Sequence, residues 1–226
     1  MSDEGVLRCN TIIREERDEM NLENNNEEAI DLEALKKDPQ FQENLKRLEE
    51  EMKAERSIAK GYQLLDAKLL MEADREEIDE IFTFIVNEAF DRLAQTLSEG
   101  KKFDMSDPEQ WATARAIYEH GIQRYSENDR KGAKEIFLVL YYLITEEELR
   151  DAMMIHAAAV TAGHDFDSFI ENLADVKSIN PNDATAFFIT NFVQPRDILL
   201  QMFAKEVKEG KELLAKMEEN SKKSEE

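Results

Sequence analysis

Three histidines, one cysteine and a surplus of carboxylates are the side chains here that could serve catalysis or metal binding. Imidazole ligates metal or moves protons only when a second ligand or a carboxylate stands at a fixed spacing from it. His120, His156 and His164 are not spaced i, i+4 from one another, and neither an H-E-x-x-H helix nor a cysteine cluster occurs. The run His164-Asp165-Phe166-Asp167 reads as a turn. Cys9 stands alone, which rules out an internal disulfide framework and suits a reducing compartment. Phosphate binding needs backbone N–H groups presented by closely spaced glycines, but the 7 glycines form neither G-x-G-x-x-G nor G-x-x-x-x-G-K. A G-x-S-x-G nucleophile elbow is also missing from the sequence. Among 51 acidic residues, groupings such as Glu146-Glu147-Glu148 arise by chance, and this one fits a helix start, where negative charge complements the macrodipole. The expectation is a protein without catalytic residues, cofactor or metal; a helical enzyme using carboxylate-bound metal is the least supported class.

If these side chains do no chemistry, the elements that carry them must supply the function. The chain has 226 residues, enough for one sizeable domain with extensions or for two small ones. Hydrophobic residues at 42% can build a core, and charged residues at 35% require long solvated helix faces. With 7 Gly and 4 Pro the corners are too few for a sheet fold, so the class is all-α. The formal charge of −22 repels phosphate backbones and anionic lipid surfaces, which argues against nucleic-acid and membrane partners. It favours solubility and a basic protein partner. The start MSDEGVLRCN has no basic residues followed by an apolar run, and no stretch nears the ~18 apolar residues of a membrane helix. A cytoplasmic location is expected.

Residues 1–30 are acidic and Asn-rich, an arm expected to stay disordered because it has little apolar surface to bury. Residues 31–104 read as a helical extension, interrupted at Asp38-Pro39 because the residue before proline resists the α region. Phe41, Leu45, Leu48 and Met52 then form a narrow stripe. The strongest amphipathic helix covers 74–99, where Ile78, Ile81, Phe82, Ile85 and Phe90 recur at helical spacing before Gly100 ends it. This helix is a candidate cap for the domain that follows, or a dimerisation arm for a second copy of the chain. Ser106, Pro108 and Glu109 form a capping-box start for the next helix, placed at 106–127. Trp111 reads as a packing anchor near its start. A charged tail occupies 216–226.

The second half is periodic. Ala114, Leu149 and Ala184 begin three units 35 residues apart, giving three repeats across 106–215. Tyr118, Met153 and Phe188 occupy equivalent positions, as do Ile122, Ala157 and Phe192. A helix-turn-helix unit of about 34 residues is the tetratricopeptide period. The first unit carries its small and aromatic positions in order, as Gly121, Tyr125, Ala133 and Phe137. Small residues let two helices approach closely, and aromatics fill the space between stacked units.

The run IYEHGIQRYSENDRKGAKEIFLVLYYL, residues 117–143, resembles the first repeat of the tetratricopeptide-class translocator chaperones of bacterial type III secretion. Tyr118, Ile122 and Tyr125 match that family's helix A, and Ala133, Phe137 and Leu140 its helix B. Asn128 stands where the family has a turn glycine. The resemblance implies an all-helical cup whose concave face receives an extended, partly apolar segment of a translocator protein and holds it soluble before export. The candidate partner-binding residues are Tyr118, Ile122, Tyr125, Met153, Ala157, Val160, Phe188 and Phe192. A general tetratricopeptide scaffold bridging soluble partners is the alternative.

Overall fold

The computed structural model describes residues 32–180 and 186–224; the arm at 1–30 lies outside the described residues. The all-α expectation holds, with no strand among the described residues. The α-helices are α1 (Leu32–Lys37), α2 (Pro39–Glu55), α3 (Ile58–Leu70), α4 (Arg75–Ser98), α5 (Pro108–Ser126), α6 (Arg130–Leu143), α7 (Glu147–Ala162), α8 (Phe166–Asn172), α9 (Arg196–Met202) and α10 (Ala204–Ser224). A single turn of 3₁₀-helix covers Val176–Ser178. The chain divides into two compact units between Ala116 and Ile117, inside α5 rather than in the link before it.

In the N-terminal unit, Asp38 caps α2 by accepting the Gln40 N–H at 2.9 Å, with Pro39 as the first helical residue. Arg56, at φ 52°, ends α2, and the Ser57 hydroxyl accepts the Lys60 N–H to start α3. Of the expected stripe, Leu45 and Met52 are buried while Phe41 and Leu48 are half-buried. The backbones of α3 and α4 meet closely at Gly61, where a Cβ would stand 2.8 Å from Ile85 Cγ1. Helix α4 ends at Ser98, followed by Gly100 at φ 63°.

The start of α5 differs from the expected capping box. Asp107, not Ser106, caps the helix, accepting the N–H groups of Glu109 and Gln110 at 3.0 and 2.9 Å. The Ser106 hydroxyl donates instead to Asp104 at 2.6 Å. This frees the Glu109 carboxylate for a long-range role: it accepts from the Ser57 hydroxyl, from the Ile58 N–H at 3.0 Å and faces Arg92 at 3.3 Å. One carboxylate therefore joins the starts of α3 and α5 to α4. Glu109→Ala should lower the stability of the N-terminal unit by about 1–3 kcal/mol, since it strands a buried serine and a helix-start amide. Urea unfolding followed by Trp111 fluorescence checks this, and an unchanged midpoint would show that water replaces the carboxylate at no cost.

In the C-terminal half, α5 is joined to α6 and α7 to α8 by short turns at 127–129 and 163–165. Asn128, at φ 62°, makes the left-handed turn between α5 and α6, a conformation asparagine tolerates. Gly163, at φ 97°, ends α7, and Asp165 caps α8 through the Ser168 N–H at 2.8 Å. Glu147 and Glu148 occupy the first turn of α7. Gly121 is required by contact: a Cβ there would stand 2.8 Å from Ile136 Cγ2 and 3.0 Å from Phe137 Cε1. Ala133 is fully buried.

The third expected hairpin does not form. Residues 186–195 are not helical, and α9 and α10 follow in its place. The run Phe187-Phe188-Ile189-Thr190-Asn191-Phe192-Val193 is rich in aromatic and β-branched residues, which favour extended chain. Pro195 also keeps Gln194 out of the α region. The longest C-terminal helix, α10, lies against α6 and α7 at Gly210, where a Cβ would meet Leu138 Cδ2 at 2.9 Å.

Candidate functional site

Seven of the eight residues expected to line an open groove are core residues. Tyr118, Ile122, Tyr125, Met153, Ala157, Val160 and Phe188 are buried, and only Phe192 is half-buried. The expectation of an exposed trough along helix A is therefore corrected. The helix-A faces of the first two units turn inward, and residues 186–193, within the stretch expected to be the third helix A, cover them as non-helical chain.

At the centre of this covered site, α5, α6, α7 and α8 contribute one aromatic cluster. The His156 ring lies 5.5 Å from Tyr118, 5.0 Å from Phe137 and 4.6 Å from Phe169. Tyr125 packs on Phe137, Phe166 and Phe169 at 6.3, 5.6 and 5.8 Å. Each such pair adds about 0.5–1.5 kcal/mol beyond burial.

The polar atoms inside the cluster satisfy one another. His156 Nδ1 stands 2.7 Å from the Ala152 carbonyl oxygen, which can only accept, so Nδ1 carries the proton. His156 Nε2 then accepts from the Tyr118 hydroxyl at 3.1 Å. The Tyr118 oxygen in turn accepts the Ile189 N–H at 3.0 Å. Burial pushes the His156 imidazole down to about 4, against a favourable pull from the Ala152 carbonyl, so the ring is neutral at pH 7. Burial, aided by Asp165, pushes the Tyr125 phenol up, and its hydroxyl donates to the His164 carbonyl at 3.0 Å. A neutral histidine with both nitrogens engaged inside a sealed core has no route to an external substrate in this arrangement.

Residues 186–193 form a strap over the cluster. Phe188 and Ile189 are buried, with the Phe188 ring 5.1 Å from Tyr118. Phe192 lies 6.1 Å from His156 and 6.4 Å from Phe169. The strap pairs with the chain after α8 in an isolated antiparallel bridge, Ala174 to Phe192. There the Asp175 N–H donates to the Asn191 carbonyl and the Val193 N–H to the Leu173 carbonyl, both at 2.9 Å.

Clefts open on this unit among the described residues. One of about 760 Å³ runs beside the strap and is lined by Glu147, Glu148, Asp151, Asp175 and Asp197, with Arg196 paired to Glu148. Another, of about 650 Å³, follows α10 and is more apolar, with Tyr141, Met154, Leu200 and Val207 in its walls. Among the described residues no three His, Cys, Asp or Glu side chains are grouped to hold a metal ion. No helix among them is long and apolar enough to cross a membrane.

The residues expected to cap or dimerise are divided within the N-terminal unit. Ile81 and Ile85 are buried in it, Ile78 and Phe82 are half-buried, and Phe90 is 36% exposed. Sequence reasoning missed the partnership of Tyr118 with His156 and Ile189. The signal was present in the spacing, since His156 occupies the small-residue position of its repeat and a buried imidazole there needs a hydroxyl or carbonyl beside it. Comparison with family models, curated proteins and solved structures gives no significant match for the chain.

Proposed function

We propose that the protein is a non-enzymatic holder of another polypeptide, whose C-terminal unit receives an extended, partly apolar segment of a type III secretion translocator in the bacterial cytoplasm. The observation that carries this reading is the strap. The helices already retain a stretch of non-helical chain that makes a bridge at Phe192, seating its apolar side chains among aromatics and meeting its backbone with hydrogen bonds. That is the physics of a peptide-binding module, in which main-chain bonds give affinity and pockets give selectivity. The client class comes from the resemblance of residues 117–143 to translocator chaperones. A net charge of −22 supports the reading further, because it keeps a complex with an oily client soluble and draws basic client segments. Holding is stoichiometric and involves no bond chemistry. The client's ordering cost keeps affinity moderate, which suits later release.

Co-expression with a translocator carrying membrane-active segments tests the reading. The translocator should move from the pellet into a complex of fixed stoichiometry. If it stays in the pellet while this chain is abundant and folded, the holder function is wrong.

A further inference from the structure

The strap at 186–193 is non-helical chain held over the aromatic cluster, with a turn and bend at 186–188 and a bridge at Phe192. We infer that it is a built-in stand-in for the client: residues 186–193 occupy the seat that a partner's extended segment takes, and the partner binds by displacing them. The inference rests on the holder reading above and adds to it the partner's local chemistry and the means of regulation.

Three of the polar contacts that fix the strap are to its main chain. Tyr118 accepts the Ile189 N–H, Leu173 accepts the Val193 N–H, and the Asp175 N–H donates to the Asn191 carbonyl. A side-chain bond runs from Asn191 Nδ2 to the Ser178 carbonyl at 2.9 Å. Amides and carbonyls are common to every residue, so these contacts accept any extended chain. Selectivity is left to the anchors, Phe188 and Ile189 in the buried seat and Phe192 near His156 and Phe169.

The seat also has a charge preference. Glu147, Glu148, Asp151, Asp175 and Asp197 line the cleft beside it, and the strap is followed by Arg196, which pairs with Glu148. The partner segment is therefore an extended stretch with two adjacent bulky apolar residues, an aromatic three positions on, and a Lys or Arg shortly after. Such a basic flank would take Arg196's place on Glu148 and be steered by the acidic cleft.

A tethered occupant competes at high effective concentration, so the closed chain binds weak or wrong segments poorly. The strap thereby shields the aromatic seat until a matching client arrives.

Hydrogen exchange on the unmodified full chain tests the strap directly. The amides of 187–193 should exchange about tenfold or more faster than those of α6 and α7, because the strap opens while the helices stay folded. Equal protection overturns the proposal, since a segment that leaves only on global unfolding cannot yield its seat. A second measurement titrates a fluorescent peptide of residues 186–197, AFFITNFVQPRD, against the wild-type chain and a Phe188→Ser, Ile189→Ser variant. The peptide should bind the variant about tenfold or more tightly than wild type, while a scrambled peptide binds neither. A variant that is folded by circular dichroism and ignores the peptide overturns the proposal. If the peptide binds but no translocator is solubilised, the holder function falls and the seat stands. If a translocator is solubilised while exchange of the strap is unchanged, the strap proposal falls alone.

Discussion

Phe137→Ala should lower the unfolding free energy of the C-terminal unit by about 3–5 kcal/mol, the largest loss expected from any single truncation in this cluster. Phe137 is fully buried on α6 and lies within 6.0 Å of Tyr118, 6.3 Å of Tyr125 and 5.0 Å of His156, measured between ring centres. Its removal opens a void between the two hairpins, because the neighbours are rings and helix backbones that cannot collapse inward. It also takes away the wall against which Gly121 packs. Near-ultraviolet circular dichroism in urea, read beside Trp111 fluorescence from the other unit, follows the effect, since Tyr118, Tyr125, Tyr141 and Tyr142 lie in this unit and Tyr62 and Trp111 lie outside it. Met217, which is 46% exposed, serves as a control whose truncation should change stability by less than about 0.5 kcal/mol. A Phe137→Ala chain as stable as the control would mean that the cluster is not the centre of the unit's core.

Acidification should weaken the same unit well before its carboxylates titrate. His156 is held down to about 4 in the folded chain and returns to its ordinary 6.5 on unfolding. Between those values the unfolded chain binds a proton that the folded chain refuses, so stability rises with pH across the window. The sign gives a loss of about 2 kcal/mol from pH 7 to pH 5, and of roughly 3 kcal/mol once pH falls below 4. His120 is also held low, first by burial and then by Arg124, and adds a slope of the same sign. Asp129, lowered by the Gly132 N–H and by Arg124, and Asp104, lowered by Ser106, lose their contributions only at more acidic pH. Urea midpoints at pH 7, 6 and 5 should therefore fall in the wild-type chain and much less in His156→Gln. Equal slopes in the two chains would place the acid sensitivity elsewhere.

Much of the scaffold could be read from local chemistry. Asp38-Pro39, Gly100, Asn128 and Gly163 all mark boundaries that the structure keeps, because each acts through its own backbone conformation and needs no tertiary context. The close helix approach at Gly121 followed from its small-residue place in the helical-hairpin pattern. Two readings failed for a shared reason. Apolar spacing says which face of a helix is oily, but not whether another element covers it; Tyr118, Ile122 and Met153 have the pattern of a groove and the burial of a core. At 186–195 the helical spacing of Phe188 and Phe192 competed with the extended preference of Phe-Phe-Ile-Thr-Asn-Phe-Val, and no helix forms there, because docking on Tyr118 and Leu173 satisfies the backbone. The placement of Ser106 as a cap failed more narrowly: Asp107, one residue later, is also a strong cap and has the better geometry.

The touch between Gly121 and the pair Ile136 and Phe137 also constrains how the gene can drift. A lineage that acquires alanine or serine at 121 must move or shrink the side chain at 136 and shift the ring at 137, since a methyl group there would stand 2.8 Å from one and 3.0 Å from the other. Changes at 121 should thus be accompanied by changes at 136 or 137 among descendants of this sequence, leaving a paired trace among its relatives.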